Sequence, residues 1–412
     1  MIVRNYTLYF HSGAGRLVSF CITILFCLFA QAAEYTDAER EELWEQPDFV
    51  EASLVIADPG DVLYSVYGHA SLHLVCKAYD LDRYFSAESA DVNAKILRFF
   101  SGNLPMTVKS FIPDNYLNQY REEGRGVREY RLNLPIEVKR NLWKILDKHL
   151  VEAPIPYDYY RHGCALSCVQ WINEALRETY GKTVFIRYAP WSSYYHQTPR
   201  EIGGASAGIA PWIQYIIYFI VGNEMDRQVH KEEKLIMPTD LAAVWQQATV
   251  NGDTLLSSEP HILVPATREY KTFPITPTMV AWVLLALAVI AFFLPASWSK
   301  GINGIIIGTQ TLLGCFLTYL IVFSNLCCTD WNWLLIAFHP LPLLLLFSCR
   351  KNAEMRAWGR FALCLAVINI GWCIGMLCAP RTLVIAPHII QTAACTVCYL
   401  HIFYKTIHRP SL

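Results

Sequence analysis

From about residue 273 to residue 407 the chain is nearly continuous hydrophobic sequence, more than the core of a soluble domain of that length would absorb. Apolar windows fall near 276–296, 302–324, 331–348, 357–378 and 384–404. Each can cross about 30 Å of hydrocarbon as a helix, the one open-ended element whose backbone amides are satisfied within the segment. An all-α bundle of five transmembrane helices is expected, with a kink in the third, which contains His339, Pro340 and Pro342.

Charge orients the bundle. Five crossings that begin outside place Lys300, then Arg350, Lys351, Arg356 and Arg360, then Lys405 and Arg409 on the cytoplasmic side. The opposite loops, 324–332 and 379–382, carry Arg381 as their one basic residue. At the other end of the chain, Arg4 and Arg16 precede an apolar run from Leu17 to Ala30 and the small-residue signal Ala30-Gln31-Ala32. Residues 1–33 therefore read as a signal peptide or N-terminal anchor, 34–272 as an exported domain, 273–407 as the membrane domain and 408–412 as a cytoplasmic tail. The location expected is the inner membrane of a bacterium, with the folded domain in the periplasm.

The exported region reads as α+β and is long enough for one sizeable core. Net charge is −1 and basic residues are scattered, so the electrostatic footprint of a nucleic-acid partner is missing. Of 14 cysteines this region keeps Cys76, Cys164 and Cys168, which form neither a disulfide framework nor a paired zinc pattern, so no metal is expected. The apolar run 209–221 is too short to span and reads either as a core helix or as a helix at the headgroup level.

Two segments carry chemistry. In 54–75 a Pro-Gly turn leads into β-prone sequence whose alternation puts His69, Ser71 and His73 on one face, and Gly68 permits close approach of another backbone or a substrate. In 157–176 Gly163 marks the entry to a helical pattern, so Cys164 falls in the first turn, where free N–H groups and the dipole favour a thiolate. A helix-start cysteine is more often packing than catalysis, but a nucleophilic thiol needs a helix terminus, an imidazolium partner, or both. Cys164 with His69 supplies both. Cys168, one turn on, is a distant second nucleophile. The third member of the group is open among His73, Asp82 and His162.

The segments "PGDVLYSVYGHASLHL", "YREEGRGVREYRLNL", "YDYYRHGCALSC" and "GNEMDRQVHKEEKLIMPTDL" resemble, in that order, the Lnb family of bacterial lipoprotein N-acyltransferases. The resemblance implies a circularly permuted papain-like domain followed by five membrane helices, with His69 and Cys164 as the catalytic pair. Gly163 stands where the family pattern has Asn, which removes a side-chain oxyanion donor and leaves that task to backbone N–H groups. The implied reaction moves an acyl chain from a membrane phospholipid, through a cysteine thioester, to the α-amine of a lipoprotein's N-terminal cysteine, without metal or soluble cofactor. Arg125 is a candidate for substrate phosphate, and Asp226 matches a family position with no assigned chemistry. The alternative is a membrane-tethered peptidase or amidase acting on cell-wall peptides.

Overall fold

The computed structural model describes residues 36–44, 46, 48–89, 95–158, 160–188, 198–227, 237–257, 259–269, 273–347, 352–378 and 385–408. The signal segment 1–33 and the tail beyond His408 lie outside them.

After α1 (Asp37–Trp44) come β1 (Glu51–Ala57), β2 (His69–Cys76), β3 (Leu81–Ser89), the short α2 (Ile96–Phe100), β4 (Pro105–Phe111), α3 (Pro113–Glu123) and β5 (Val127–Arg131). Next are α4 (Ile136–Leu150), β6 (Ile155–Pro156), α5 (Cys164–Tyr180), α6 (Pro199–Ser206), α7 (Pro211–Ile220), α8 (Pro238–Trp245), the small pair β7 (Thr249–Val250) and β8 (Asp253–Thr254), and β9 (His261–Val264). Seven strands form one antiparallel sheet in the order β6-β4-β3-β2-β1-β5-β9.

Period-two alternation divides the sheet's contents. On one face Leu54, Ile56, Ala70, Leu72 and Leu74 pack with Leu142 and Ile145 of α4 and with Ala165, Val169 and Ile172 of α5, forming the main core. On the other, Val55, Ala57, Tyr84 and Val127 pack against Tyr116, Leu117 and Tyr120 of α3. His69, Ser71 and His73 belong to this second face, which is apolar at its centre and polar toward its ends.

The C-terminal part is helical: α9 (Pro277–Ile290), α10 (Ala296–Phe323), α11 (Asn352–Leu377) and α12 (Ala386–Ile407). By length and composition α10 and residues 356–377 of α11 can cross a membrane. The third expected span is not an α-helix. It is a series of 3₁₀ turns over Trp333–Ile336 and Leu341–Phe347. Pro340 and Pro342 each remove an N–H donor, and each disfavours helical geometry in the residue before it, so the helix cannot propagate through this stretch.

The two parts are fastened through the turn after α10. Gly222 N–H donates to the Cys328 carbonyl at 2.7 Å, and Asn332 Nδ2 donates to the carbonyls of Phe219 (2.8 Å) and Val221 (3.1 Å). A Cβ at position 222 would fall 1.8 Å from the Asp330 carbonyl oxygen, so only glycine fits. Arg200 locks the same strand of chain, donating to both carboxylate oxygens of Asp226 (2.7 and 3.0 Å) and to the carbonyls of Tyr218 and Gly222. Asp226 is thus part of an ion-paired clamp. Helix α7, the core of the ambiguous 209–221 run, lies on the membrane helices: Trp212 Nε1 donates to the Ile275 carbonyl, Tyr215 hydroxyl to Gln391, and Phe219 meets Phe338 edge-on at 5.2 Å.

Candidate active site

Between β1 and β2 the chain makes a loop over 58–68 that delivers His69 to the start of β2. Gly68 has φ +79°, and a Cβ there would meet the Ala57 carbonyl oxygen at 2.7 Å, so the close approach anticipated at this glycine is present. Arg125 braces the loop from beneath. Its Nε donates to the Asp58 carbonyl at 2.7 Å, its Nη1 to Glu123 at 2.9 Å, and its guanidinium lies 5.0 Å from the centre of the Tyr120 ring. Only 4% exposed, this candidate for substrate phosphate gives Nε and Nη1 to the protein as a strut for the loop and buries Nη2 without a hydrogen-bond partner among the described residues.

Gly163, extended at φ −99° and ψ 167°, is the N-cap of α5, and Cys164 is the first helical residue. The N–H groups of Cys164, Ala165 and Leu166 have no carbonyl one turn back inside the helix and are free to serve an oxyanion. Since α5 packs on the Ala70–Leu72–Leu74 face of the sheet, its first turn reaches the end of β2, where His69 and the Ala70 N–H act on the Cys164 sulfur. The segment ahead of it is pinned by Asp158. One carboxylate oxygen accepts from the N–H groups of Tyr160 (2.9 Å) and Arg161 (3.1 Å), and the other from the N–H of Cys327 in the membrane domain (3.4 Å).

On the far side of the imidazole, Nε2 lies 2.6 Å from Ser86 Oγ and 3.4 Å from Glu88 Oε1. Ser86 spends its one hydroxyl proton on Glu88, at 2.7 Å, so toward His69 it is an acceptor. Nε2 therefore carries a proton, which leaves Nδ1 for the sulfur. The order along this line is Cys164, His69, Ser86, Glu88.

Electrostatics follows from that order. Burial pushes the His69 imidazole down, but the influence of Tyr120 and Cys164 and the bonds to Cys164 and Glu88 reverse this, and it holds its proton well above the usual histidine range. Burial likewise pushes the Cys164 thiol up, and the adjoining imidazolium, its hydrogen bond and the Ala70 N–H bring it below its ordinary value. Glu88, which burial would raise, is held below the usual carboxylate range by His69 and Ser86. The shifts thus run in opposite directions, the thiol and the imidazole each toward its charged form, with a carboxylate behind the imidazole. Other thiols outside the membrane helices go the opposite way: burial raises Cys76, Cys168 and Cys328, and takes Cys327 up to about 12. Cys168, sealed in the core, is no nucleophile.

The third-member candidates lie elsewhere. His73 is four residues along β2, ~13 Å away at strand spacing. It bonds through Nδ1 to Glu129 (2.6 Å) and through Nε2 to Asp82 (2.9 Å), and stacks on Tyr84. His73 and Asp82 thus satisfy each other at the opposite end of the polar stripe. His162 bonds through its N–H to the Asp158 carbonyl at 2.6 Å. Sequence reasoning missed Ser86 and Glu88. Their signal is the alternation of "YFSAES", which sets Tyr84, Ser86 and Glu88 on one face, but which strand pairs with β2, and in what register, is not readable from it. Among the described residues no three His, Cys, Asp or Glu side chains are grouped to hold a metal ion.

A family model described as the Lnb N-terminal periplasmic domain matches residues 45–194, and one described as the Lnb transmembrane domain matches residues 268–408. The chain belongs to the Lnb family. It is therefore a membrane protein with a periplasmic N-terminal domain and a helical transmembrane domain, and the resemblance read from the four sequence segments holds across both. No curated protein and no solved structure matches it.

Proposed function

We propose that the protein is a lipoprotein N-acyltransferase of the bacterial inner membrane, with its C-terminus in the cytoplasm, and that Cys164 carries the acyl group between donor and acceptor. The observation that carries this reading is that the helix opened by Cys164 packs on the strand opened by His69, with the thiol lowered and the imidazole raised by each other. The cysteine begins a helix, and a histidine earlier in the chain begins the neighbouring central strand, which is the order of a circularly permuted papain-like domain.

In the first half-reaction the thiolate attacks the carbonyl carbon of a phospholipid ester, and the developing oxyanion takes the N–H groups at the start of α5. The ester C–O bond breaks, the lysophospholipid alkoxide leaves with the His69 proton, and a thioester remains on Cys164. In the second, the α-amine of a lipid-modified N-terminal cysteine attacks the thioester, neutral His69 takes the amine proton, and the C–S bond breaks to restore the thiolate and release an amide. Ser86 and Glu88 orient the imidazole and stabilise its charge. Donor ester and acceptor amine are both anchored at the bilayer surface, and the site is tied to the membrane domain through Asp158 and Cys327, which favours lipid over a wall peptide.

The test is mass spectrometry of lipoprotein N-terminal peptides from cells that depend on this protein. Cys164→Ala and His69→Ala should each leave the terminal amine free. Full triacylation in both variants rejects the assignment, and release of cleaved peptides from murein fragments by the purified protein would move it to the amidase class.

A further inference from the structure

Helix α2 (Ile96–Phe100) follows β3 on the side of the sheet that holds the site and precedes β4. Its sequence, Ile-Leu-Arg-Phe-Phe, spends four of five positions on large apolar side chains, yet none is fully buried: Leu97 is 68% exposed and Ile96 37%. Water is a poor neighbour for such a group.

Its depth is set by a membrane helix. The Phe100 ring meets the Phe316 ring of α10 edge-on at 5.3 Å. Phe316 lies seven residues before the end of α10 at Phe323, which places it ~10 Å below that end at 1.5 Å per residue. The Phe100 carbonyl accepts from Ser324 and the Ser101 carbonyl from the Asn325 N–H (2.7 and 3.0 Å), so α2 is held against the helix end and not merely near it.

From Phe100 an aromatic series leads inward. Phe100 touches Phe99 at 5.3 Å, Phe99 stacks on Tyr157 at 5.9 Å and 28°, and Tyr157 lies within the electrostatic reach of Cys164. One aromatic series thus runs from Phe316 of α10 to Tyr157, which borders the same core cluster as Cys164.

We propose that α2 is sunk into the bilayer leaflet on the periplasmic side and forms the wall of a lateral opening, along which a phospholipid acyl chain passes by Leu97, Phe100 and Phe99 to Cys164. The occupant is phospholipid, because the seat against Phe316 lies on a membrane-spanning helix, Ile96 and Leu97 are exposed and apolar, and the exposed Lys95 and Arg98 beside them suit the headgroup level. The membrane seat stands by itself; the acyl path rests on the acyl-transfer reading.

The experiment replaces Leu97, Phe99 or Tyr79 with the photo-crosslinking residue benzoylphenylalanine in the full chain, carrying Cys164→Ala so that no turnover is needed, in nanodiscs containing radiolabelled phosphatidylethanolamine. Tyr79 is a matched control, 46% exposed and at the opposite end of β3, ~26 Å away at strand spacing. Positions 97 and 99 should each capture labelled lipid at least about tenfold more than position 79. Equal capture at 97 and 79 overturns the membrane seat, and capture at 97 without capture at 99 overturns the acyl path. Capture at both positions, with no acyl transfer by the parent protein carrying Cys164, would leave the membrane seat standing and remove both the acyl path and the enzymatic reading.

Discussion

His69 and Glu88 face each other across the β2–β3 pair, with imidazole Nε2 3.4 Å from Oε1 and the Ser86 hydroxyl between them. A carboxylate there has no sulfur to touch. It acts on Cys164 in two ways: through the imidazole, whose proton it helps to hold, and by direct charge repulsion.

Glu88→Gln tests this through the pH dependence of thiol reactivity. The reactive pair exists above the Cys164 pKa and below that of His69, the first lowered and the second raised. Removing the Glu88 charge lowers the histidine pKa directly. It has two opposed effects on the thiol: relief of direct repulsion lowers it, and loss of imidazolium raises it. The alkaline limb of a haloacetamide alkylation profile should therefore move to lower pH, and maximal acyl transfer should fall ~10–100-fold, the scale of lost acid–base assistance. An unmoved alkaline limb would make Glu88 a bystander.

Gly68→Ala should be costly although it adds one methyl group. Position 68 combines φ +79° with a Cβ contact of 2.7 Å to the Ala57 carbonyl, which is backbone and cannot swing aside. A loss of about 1–3 kcal/mol is expected in denaturant unfolding. Because relief of the clash moves His69, the rapid alkylation of Cys164 should be lost as well. A fully stable, fully reactive variant would contradict the geometry at this turn.

Arg200→Ala should loosen the seam between the two domains. It strips the carbonyls of Tyr218 and Gly222 of their donor and leaves Asp226 without its bidentate partner. A destabilisation of about 2–3 kcal/mol is expected, and limited proteolysis should cut near 222–227 faster than in the parent protein. Arg200→Lys should not restore it, since an ammonium cannot reproduce the planar fork. An unchanged proteolysis rate in the alanine variant would show that the seam is held elsewhere.

How legible the molecule was in its sequence depends on the range of the interactions involved. Cys164 and His69 stood out because a helix start and a strand start are local events, marked by Gly163 and Gly68. Glu88 did not, because its partnership with His69 depends on antiparallel register between two strands. The place of Arg125 was hidden for a related reason: a basic side chain in a charged segment carries no local sign of the loop it supports. In the membrane domain hydropathy located the apolar windows, but it is blind to Pro340 and Pro342 denying the third window its helix. The short run around α7 was ambiguous because its partner surface, with Gln391 and Phe338, belongs to elements more than a hundred residues away.

The central claim is that Cys164 itself becomes acylated, and the most direct measurement is the mass of its peptide after the purified protein meets phospholipid with no amine acceptor. One fatty-acyl increment is expected on the peptide containing Cys164, released by neutral hydroxylamine as a thioester should be. It should be absent in Cys164→Ala and formed at least about a hundredfold more slowly in His69→Ala. An unmodified Cys164, or an acyl group found on another residue, would contradict the account.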